Sequence, residues 1–132
     1  GCTCEDQIRA DMRLPLFLAL PIRRRWIVAE PLLTPLSLLP YLTAADAPIA
    51  QVTVGGESGE QARLCEYDWV LSIREQCLSA GVPFSYHQTG ARLKKDGREY
   101  RIPRKLQQIQ AKKAGLDTLS DVIDSSDDAR RL

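Results

Sequence analysis

One segment of the chain combines a strand, a helix and a second strand in an order that strongly restricts the fold. Residues 49–54 predict a strand that runs directly into a glycine-rich loop. Residues 68–80 follow with apolar side chains at helical spacing, Asp68 is placed to cap this helix, and Gly81 is placed to end it. The strand predicted at 82–86 closes a strand–helix–strand unit, which implies parallel pairing through a right-handed crossover.

The first 48 residues add two more predicted strands. Residues 2–5 predict the end of one strand, and Asp6 stands at the N-cap position of a following helix, where Pro15 either interrupts or restarts the helical pattern. Residues 25–29 predict the second strand, and residues 32–48 predict a loop with one helical turn. The helix is indicated by apolar residues at i, i+4 spacing: Ile8, Met12, Leu16 and Leu20.

These elements predict an α/β fold with parallel strand–helix repeats. A complete (β/α)₈ barrel needs at least about 200 residues, and this chain has 132. Its four strands therefore predict about half of a barrel, or a small open sheet. Because the site of such folds is built where parallel strands end, we expect polar residues to meet at one edge of the sheet: Glu5, Glu30, Gly55 to Gly59 and His87 to Thr89.

Charge divides the chain into three parts. Residues 1–91 carry a net charge of −3 and form the predicted α/β domain. Residues 92–116 hold nine Lys or Arg against two Asp or Glu and are predicted to form a basic hairpin and helix. Residues 117–132, with a net charge of −3, are predicted to be a disordered acidic tail.

Composition excludes several classes of protein. The longest apolar stretches are short and interrupted by proline, which argues against a membrane span, and no secretory signal is visible, so a cytoplasmic protein is expected. The absence of a starting methionine suggests a fragment of a larger protein. Four cysteines without a C-x-x-C pair predict reduced thiols, and Cys2 with Cys4 supplies only two ligands, so no metal site is expected in this chain.

The segment Gly55-Gly56-Glu57-Ser58-Gly59 is the most informative candidate site. Its glycines allow a ligand to approach the backbone closely, although the same pattern also suits a tight turn that binds nothing, and it matches neither the dinucleotide fingerprint nor the P-loop. Glu30 at a strand end is a candidate base or ligand, or a partner of an arginine. Arg63 either pairs with Glu57 or binds a phosphate or carboxylate.

The basic segment, residues 92–113, is the second candidate site. Its density of Lys and Arg suits phosphate contact, and a solvated hairpin followed by a surface helix is the alternative. The side chains predicted to contact nucleic acid are Lys94, Lys95, Arg98 and Arg101.

The order of several short motifs resembles the C-terminal half of a phage- and prophage-associated family of unknown function. That family carries an N-terminal three-cysteine motif and is regarded as radical-SAM-like. The resemblance covers residues 3 to about 116. The matching motifs are Thr3-Cys4-Glu5-Asp6-Gln7, Glu30-Pro31-Leu32-Leu33, Val54-Gly55-Gly56-Glu57-Ser58-Gly59 with Arg63, and Gly81-Val82-Pro83-Phe84.

The resemblance implies a TIM-barrel-like fold that holds a 4Fe-4S cluster and S-adenosylmethionine in the intact protein. The cluster cysteines belong to the family's N-terminal part, and nothing in this chain matches them, so no cofactor is expected from this chain alone. The residues implied to line the open end of the barrel are Glu30, Gly55, Gly56, Glu57, Ser58, Gly59 and Arg63.

Two functions follow as expectations. In the first, the chain contributes cofactor or substrate binding to a radical-SAM-like protein of unknown substrate, with the missing N-terminal half or a separate protein as its partner. In the second, it is a non-catalytic module that binds nucleic acid or a partner through residues 92–113. Because an open half-barrel exposes strand edges, self-association or poor solubility is expected when the missing half is absent.

Overall fold

The computed structural model describes residues 1–44 and 48–118. The strands are β1 (Cys2–Thr3), β2 (Arg25–Ala29), β3 (Ile49–Gly55), β4 (Cys65–Glu66), β5 (Phe84–Gln88), β6 (Arg92–Lys95) and β7 (Arg98–Arg101). The helices are α1 (Gln7–Ala19), α2 (Leu39–Leu42), α3 (Tyr67–Ala80) and α4 (Arg104–Lys113). A parallel sheet has the order β1-β2-β3-β5, and a smaller sheet has the order β4-β6-β7. The predicted α/β class with parallel strands is confirmed.

One face of the parallel sheet is covered by helices. Alternate residues of the strands point to this face, so Ile27, Val52 and Phe84 form one buried row across the sheet. Leu14 from α1 and Ile73 from α3 belong to the same core cluster. Burial of these apolar side chains is the main stabilising contribution to the fold.

The opposite face of the parallel sheet is not buried by the described residues. Thr3, Val28, Thr53 and Ser85 are aligned across the four strands on this face, and each is exposed or half-buried. Trp26 on the same face is 42% exposed. Parallel sheets are normally covered on both faces, and this sheet is covered on one face only. The strands within residues 1–44 and 48–118 form an open sheet and not a closed barrel.

Helix α1 begins as the sequence predicts but faces in an unexpected direction. The Asp6 carboxylate accepts a hydrogen bond of 2.9 Å from the Arg9 amide, which confirms the predicted N-cap, and the helix continues through Pro15. The stripe Ile8, Met12, Leu16 and Leu20 that indicates the helix is 49–73% exposed, whereas Ala10 and Leu14 are fully buried. Residues two positions apart lie about 200° apart around a helix, so the stripe points away from the sheet.

Two predicted boundaries around α3 are wrong. The helix begins at Tyr67, and Asp68 lies in its first turn without capping it. An acidic side chain there still interacts favourably with the positive end of the helix dipole. Gly81 ends the helix in the left-handed conformation, as predicted, and β5 begins at Phe84 because the Val82 amide is still bonded to Cys77 of the helix.

The basic segment forms the predicted hairpin and helix. Asp96 and Gly97 both have positive φ angles and make the two-residue turn between β6 and β7. Helix α4 is less superficial than predicted, because Gln107 and Ala111 are buried.

Residues 117 and 118 bond to β5. The Asp117 carboxylate accepts a 2.7 Å hydrogen bond from the Tyr86 amide, and Thr118 and Phe84 form an antiparallel bridge. The predicted disordered tail lies outside the described residues from residue 119 onward. No helix within residues 1–44 and 48–118 combines the length and apolar character that a membrane crossing requires.

Candidate functional site at the carboxyl ends of the parallel strands

The carboxyl ends of the parallel strands bring most of the predicted site residues to one edge of the sheet. Glu30 follows β2, the glycine-rich loop follows β3, and His87 and Gln88 end β5. Since the strands are parallel and adjacent, these residues become neighbours although up to 58 positions separate them in the chain. The structure therefore contains the predicted grouping of Glu30 with residues 55–59.

The Glu30 carboxylate is the centre of this edge. Its oxygens lie 2.8 and 3.2 Å from His87 Nδ1, and Gln88 Nε2 donates a 3.2 Å hydrogen bond to Oε2. Gly55 makes room for this side chain, because a Cβ at position 55 would lie 2.7 Å from the Glu30 Cδ. The His87 side chain is half exposed, so the pair is accessible from solvent.

The glycine-rich loop is packed tightly against the loop that follows β5. The Gly56 amide donates to the Gln88 carbonyl at 3.1 Å, and the Ala91 amide donates to the Glu57 carbonyl at 2.9 Å. A Cβ on Gly56 would come within 2.8 Å of the Gly90 Cα. Gly55 and Gly56 therefore make room for neighbouring protein atoms, and the Gly56 amide is already used within the protein.

Ser58 connects the strand ends to helix α4. Its Oγ lies 2.8 Å from Gln88 Oε1 and 2.6 Å from Gln107 Oε1. Gln107 is buried and also donates a 3.0 Å hydrogen bond to the Ile102 carbonyl. A hydroxyl has one proton to donate, so only one of these two amide oxygens accepts it, and in either case the Ser58 proton is engaged inside the protein.

Of the two roles predicted for Arg63, the structure contains the pairing with Glu57. Arg63 Nε and Nη2 donate to the two carboxylate oxygens at 2.9 and 2.7 Å, and the Arg63 amide donates a third bond of 2.9 Å. These hydrogen bonds lower the pKa of Glu57 to about 2. The pair holds the loop closed between residues 57 and 63.

The Glu57–Arg63 pair predicts a specific dependence of stability on pH. A carboxylate whose pKa is lowered by folding stabilises the folded state above its unfolded pKa and loses that effect as the pH falls through the folded value. We expect the free energy of unfolding of wild type to exceed that of Glu57→Gln by a constant amount above about pH 5, and the difference to decrease below that pH and be lost as the pH falls through about 2. Urea unfolding at a series of pH values measures it.

The Arg63→Gln variant serves as the control for this pH dependence. It should remove most of the same pH-dependent difference, because the carboxylate then loses the guanidinium and keeps only the hydrogen bond from the amide of residue 63. A difference between wild type and Glu57→Gln that does not change with pH would contradict the assignment.

Two cationic side chains of the basic segment lie over aromatic rings. Lys95 Nζ lies 4.9 Å from the ring centroid of Tyr67, and the Arg98 guanidinium lies 5.5 Å from that of Tyr100. Lys94 Nζ is 3.9 Å from the Glu66 carboxylate. Lys95 and Arg101 line a cavity that the sequence did not reveal, since two of its aromatic residues, Tyr67 and Tyr86, lie outside the basic segment.

The four cysteines belong to the hydrophobic core. All four cysteines are buried and free, and the described residues contain no group of three or more His, Cys, Asp or Glu side chains able to hold a metal ion. Burial raises the pKa of Cys4, Cys65 and Cys77 to about 12. Buried thiols of this kind behave as small apolar side chains of the core.

Comparison with known proteins gives one match. The sequence model of the family described as "Protein of unknown function (DUF5131)" matches residues 1–125. No curated protein and no solved structure matches the chain.

Proposed function

The chain belongs to the DUF5131 family, and we propose that it forms the ligand-binding part of a barrel-like α/β enzyme of radical-SAM-like type. The observation that carries the proposal is the uncovered face of the parallel sheet, which leads to Glu30 and His87 at its carboxyl edge. In barrel enzymes this face lies inside the barrel, and the carboxyl edge holds the active site. The phage origin implied by the resemblance remains a prediction.

The charges at the strand ends favour a ligand with a cationic group. Glu57 is neutralised by Arg63, and Glu5 lies 3.2 Å from an Arg13 nitrogen. Glu30, in contrast, contacts His87 and the amide of Gln88. Glu30 is thus the carboxylate at this edge without an arginine among the described residues, and it suits an ammonium or sulfonium group.

S-adenosylmethionine fits this requirement, since it carries both an ammonium and a sulfonium group. Glu30 would hold one of these cations, and Gln88 would keep the carboxylate in position through its hydrogen bond to Oε2. When bound, S-adenosylmethionine supplies an activated carbon–sulfur bond. His87 Nδ1 is oriented by Glu30, which leaves Nε2 available to exchange a proton with a substrate.

Titration of the ¹⁵N-labelled chain with S-adenosylmethionine tests the proposal. We expect amide shifts in residues 55–59 and at Gln88, and an affinity roughly tenfold or more lower for Glu30→Gln, the loss of one charge-assisted interaction. S-adenosylhomocysteine keeps the ammonium and lacks the sulfonium, so it should bind more weakly if Glu30 holds the sulfonium and equally well if Glu30 holds the ammonium.

Glu60→Gln is the matched control for that titration. Glu60 is an exposed glutamate near the same loop that forms no ion pair among the described residues, so its substitution should leave the affinity unchanged. Equal weakening by both substitutions, or no shift at millimolar ligand, would overturn the proposal.

We further propose that additional strand–helix units, from a longer form of the protein or from a separate chain, complete the fold beside β1 and α1. Strand β1 pairs only with β2 in the described sheet. The neighbouring helix exposes Ile8 and Leu16 by 72 and 73%. A free sheet edge continuous with an apolar helix stripe is what another α/β unit covers.

The second candidate function is nucleic-acid binding by the basic segment. The observation that favours it is that Lys95, Arg98 and Arg101 form no ion pair with a carboxylate in the described residues. Such cations are free to contact phosphates. A salt-dependent titration with a single-stranded oligonucleotide tests this candidate.

A further inference from the structure

A cavity of about 510 Å³ lies between the β6–β7 hairpin and helix α4. Strand β5 directs Tyr86 towards the cavity side and His87 towards the uncovered face of the sheet. The cavity is therefore separate from the strand-end site. Its volume lies within the range of small-molecule sites, roughly 300 to 1,000 Å³.

Three tyrosines give the cavity an aromatic lining: Tyr67, Tyr86 and Tyr100. The rings of Tyr67 and Tyr86 have centroids 6.3 Å apart and are tilted by 54°. Tyr100 is 40% exposed at the outer side. Aromatic side chains at a cavity wall offer stacking and edge contacts to a planar ring, and Tyr100 is the most exposed of the three.

The charged residues that line the cavity are all cationic. They are Lys95, Arg101 and Lys113, and no Asp or Glu is among the lining residues. None of the three forms an ion pair in the described parts of the chain. The cavity therefore combines aromatic surface with unneutralised positive charge, which favours an anion that carries a planar ring.

Tyr86 adds a hydrogen-bond donor without an acceptor. Its side chain is fully buried, and its hydroxyl oxygen has no hydrogen-bond partner within the described residues. A buried hydroxyl left unpaired has lost its hydrogen bonds to water without replacement, so a ligand acceptor that reaches this hydroxyl from the cavity would restore one of them. Carbonyl oxygens and ring nitrogens of nucleobases are such acceptors.

We propose that this cavity binds a nucleotide, with its base among the three tyrosines and its phosphate at Lys95, Arg101 and Lys113. The base supplies the planar ring and the acceptor for Tyr86, and the phosphate supplies the negative charge. The nucleotide is either free or part of a single strand. For the second source the inference rests on the nucleic-acid function proposed for the basic segment.

Calorimetric titration with adenosine monophosphate tests the inference. Adenosine and ribose 5-phosphate serve as reference ligands, because each lacks one half of the proposed recognition. We expect adenosine monophosphate to bind more tightly than either. A single-stranded oligoadenylate, titrated in parallel, distinguishes a free nucleotide from one within a strand.

Three variants locate the binding. Tyr100→Ala removes one exposed ring. It should lower the affinity for adenosine monophosphate by roughly 5- to 150-fold, the effect of losing one stacking partner. Tyr86→Phe should weaken binding several-fold without lowering the melting temperature, because it removes a hydroxyl that has no partner among the described residues. Arg24→Gln is the control, since Arg24 is an exposed cation outside the basic segment and does not line the cavity.

The outcomes distinguish nucleotide binding in the cavity from nucleic-acid binding by the basic segment. Binding of adenosine monophosphate but not of the oligonucleotide supports the cavity and contradicts nucleic-acid binding. Oligonucleotide binding that Tyr100→Ala leaves unchanged, with no mononucleotide binding, overturns the cavity and leaves the basic segment as a phosphate contact. Ribose 5-phosphate that binds as tightly as adenosine monophosphate, or no binding by any probe, overturns the inference.

Discussion

Replacing Gly90 with alanine should destabilise the protein by about 3 kcal/mol or more, whereas Gly97→Ala should cost about 1–2 kcal/mol. The two glycines have nearly the same φ, 79° and 78°, so the strain of a left-handed alanine is common to both. A Cβ at Gly90 would lie 2.8 Å from the Glu57 amide nitrogen and the Gly56 Cα, whereas nothing lies within 4 Å of one at Gly97. The obstructing atoms belong to the backbone, which, unlike a side chain, cannot move aside by rotation about a single bond.

Urea unfolding followed by tryptophan fluorescence measures both free energies of unfolding. Gly90→Ala should also move the amide signals of residues 55–59, because the loops after β3 and β5 must separate to admit the methyl group. Equal losses for the two variants would mean that the loops do not approach as closely as described, and the geometry around Glu30 would then need revision.

Replacing Leu14 with alanine should lower the free energy of unfolding by about 2–5 kcal/mol, the usual cost of emptying a buried leucine position. Leu14 is fully buried between α1 and the sheet. Leu16, two positions along the same helix, is 73% exposed, so Leu16→Ala should change stability by no more than about 0.5 kcal/mol. Both are leucine-to-alanine changes in one helix, which makes helix propensity equal in the comparison.

The Leu16 variant has a second readout. If the exposed stripe of α1 accepts another α/β unit, the isolated chain should self-associate through it, and Leu16→Ala should shift the protein towards the monomer in size-exclusion chromatography with light scattering. Leu14 and Leu16 variants that lose the same stability would show that the two positions are equally buried, contrary to the structure.

The strand-end site shows which contacts a single sequence predicts. Turn signals indicate where the strands end, and parallel strands necessarily gather those ends at one edge, so the predicted grouping of Glu30 with the glycine-rich loop is correct. The Glu57–Arg63 pair is one of two roles that the sequence offers for Arg63. It can be anticipated because its partners are only six positions apart. The pairing of Glu30 with His87 spans 57 positions and has no local signature.

The glycines show a different kind of limit. Three glycines in five residues indicate a close approach, and the structure confirms close approaches at Gly55 and Gly56. What approaches them is a glutamate side chain and another loop of the same protein. A glycine indicates that other atoms approach the backbone closely, but it does not identify those atoms. The sequence alone therefore does not distinguish a ligand-binding loop from a packing contact within the protein.

Local pattern is enough to predict most of the strands and helices, the parallel class of the main sheet and the edge where the site lies. These features follow from spacing, caps and turn residues, which act over a few positions. Three others emerge only when the elements pack together: the buried side of α1, the uncovered face of the sheet, and the meeting of Tyr67, Tyr86 and Tyr100. They depend on contacts between elements far apart in the chain, and side-chain burial is settled by that packing rather than by local pattern.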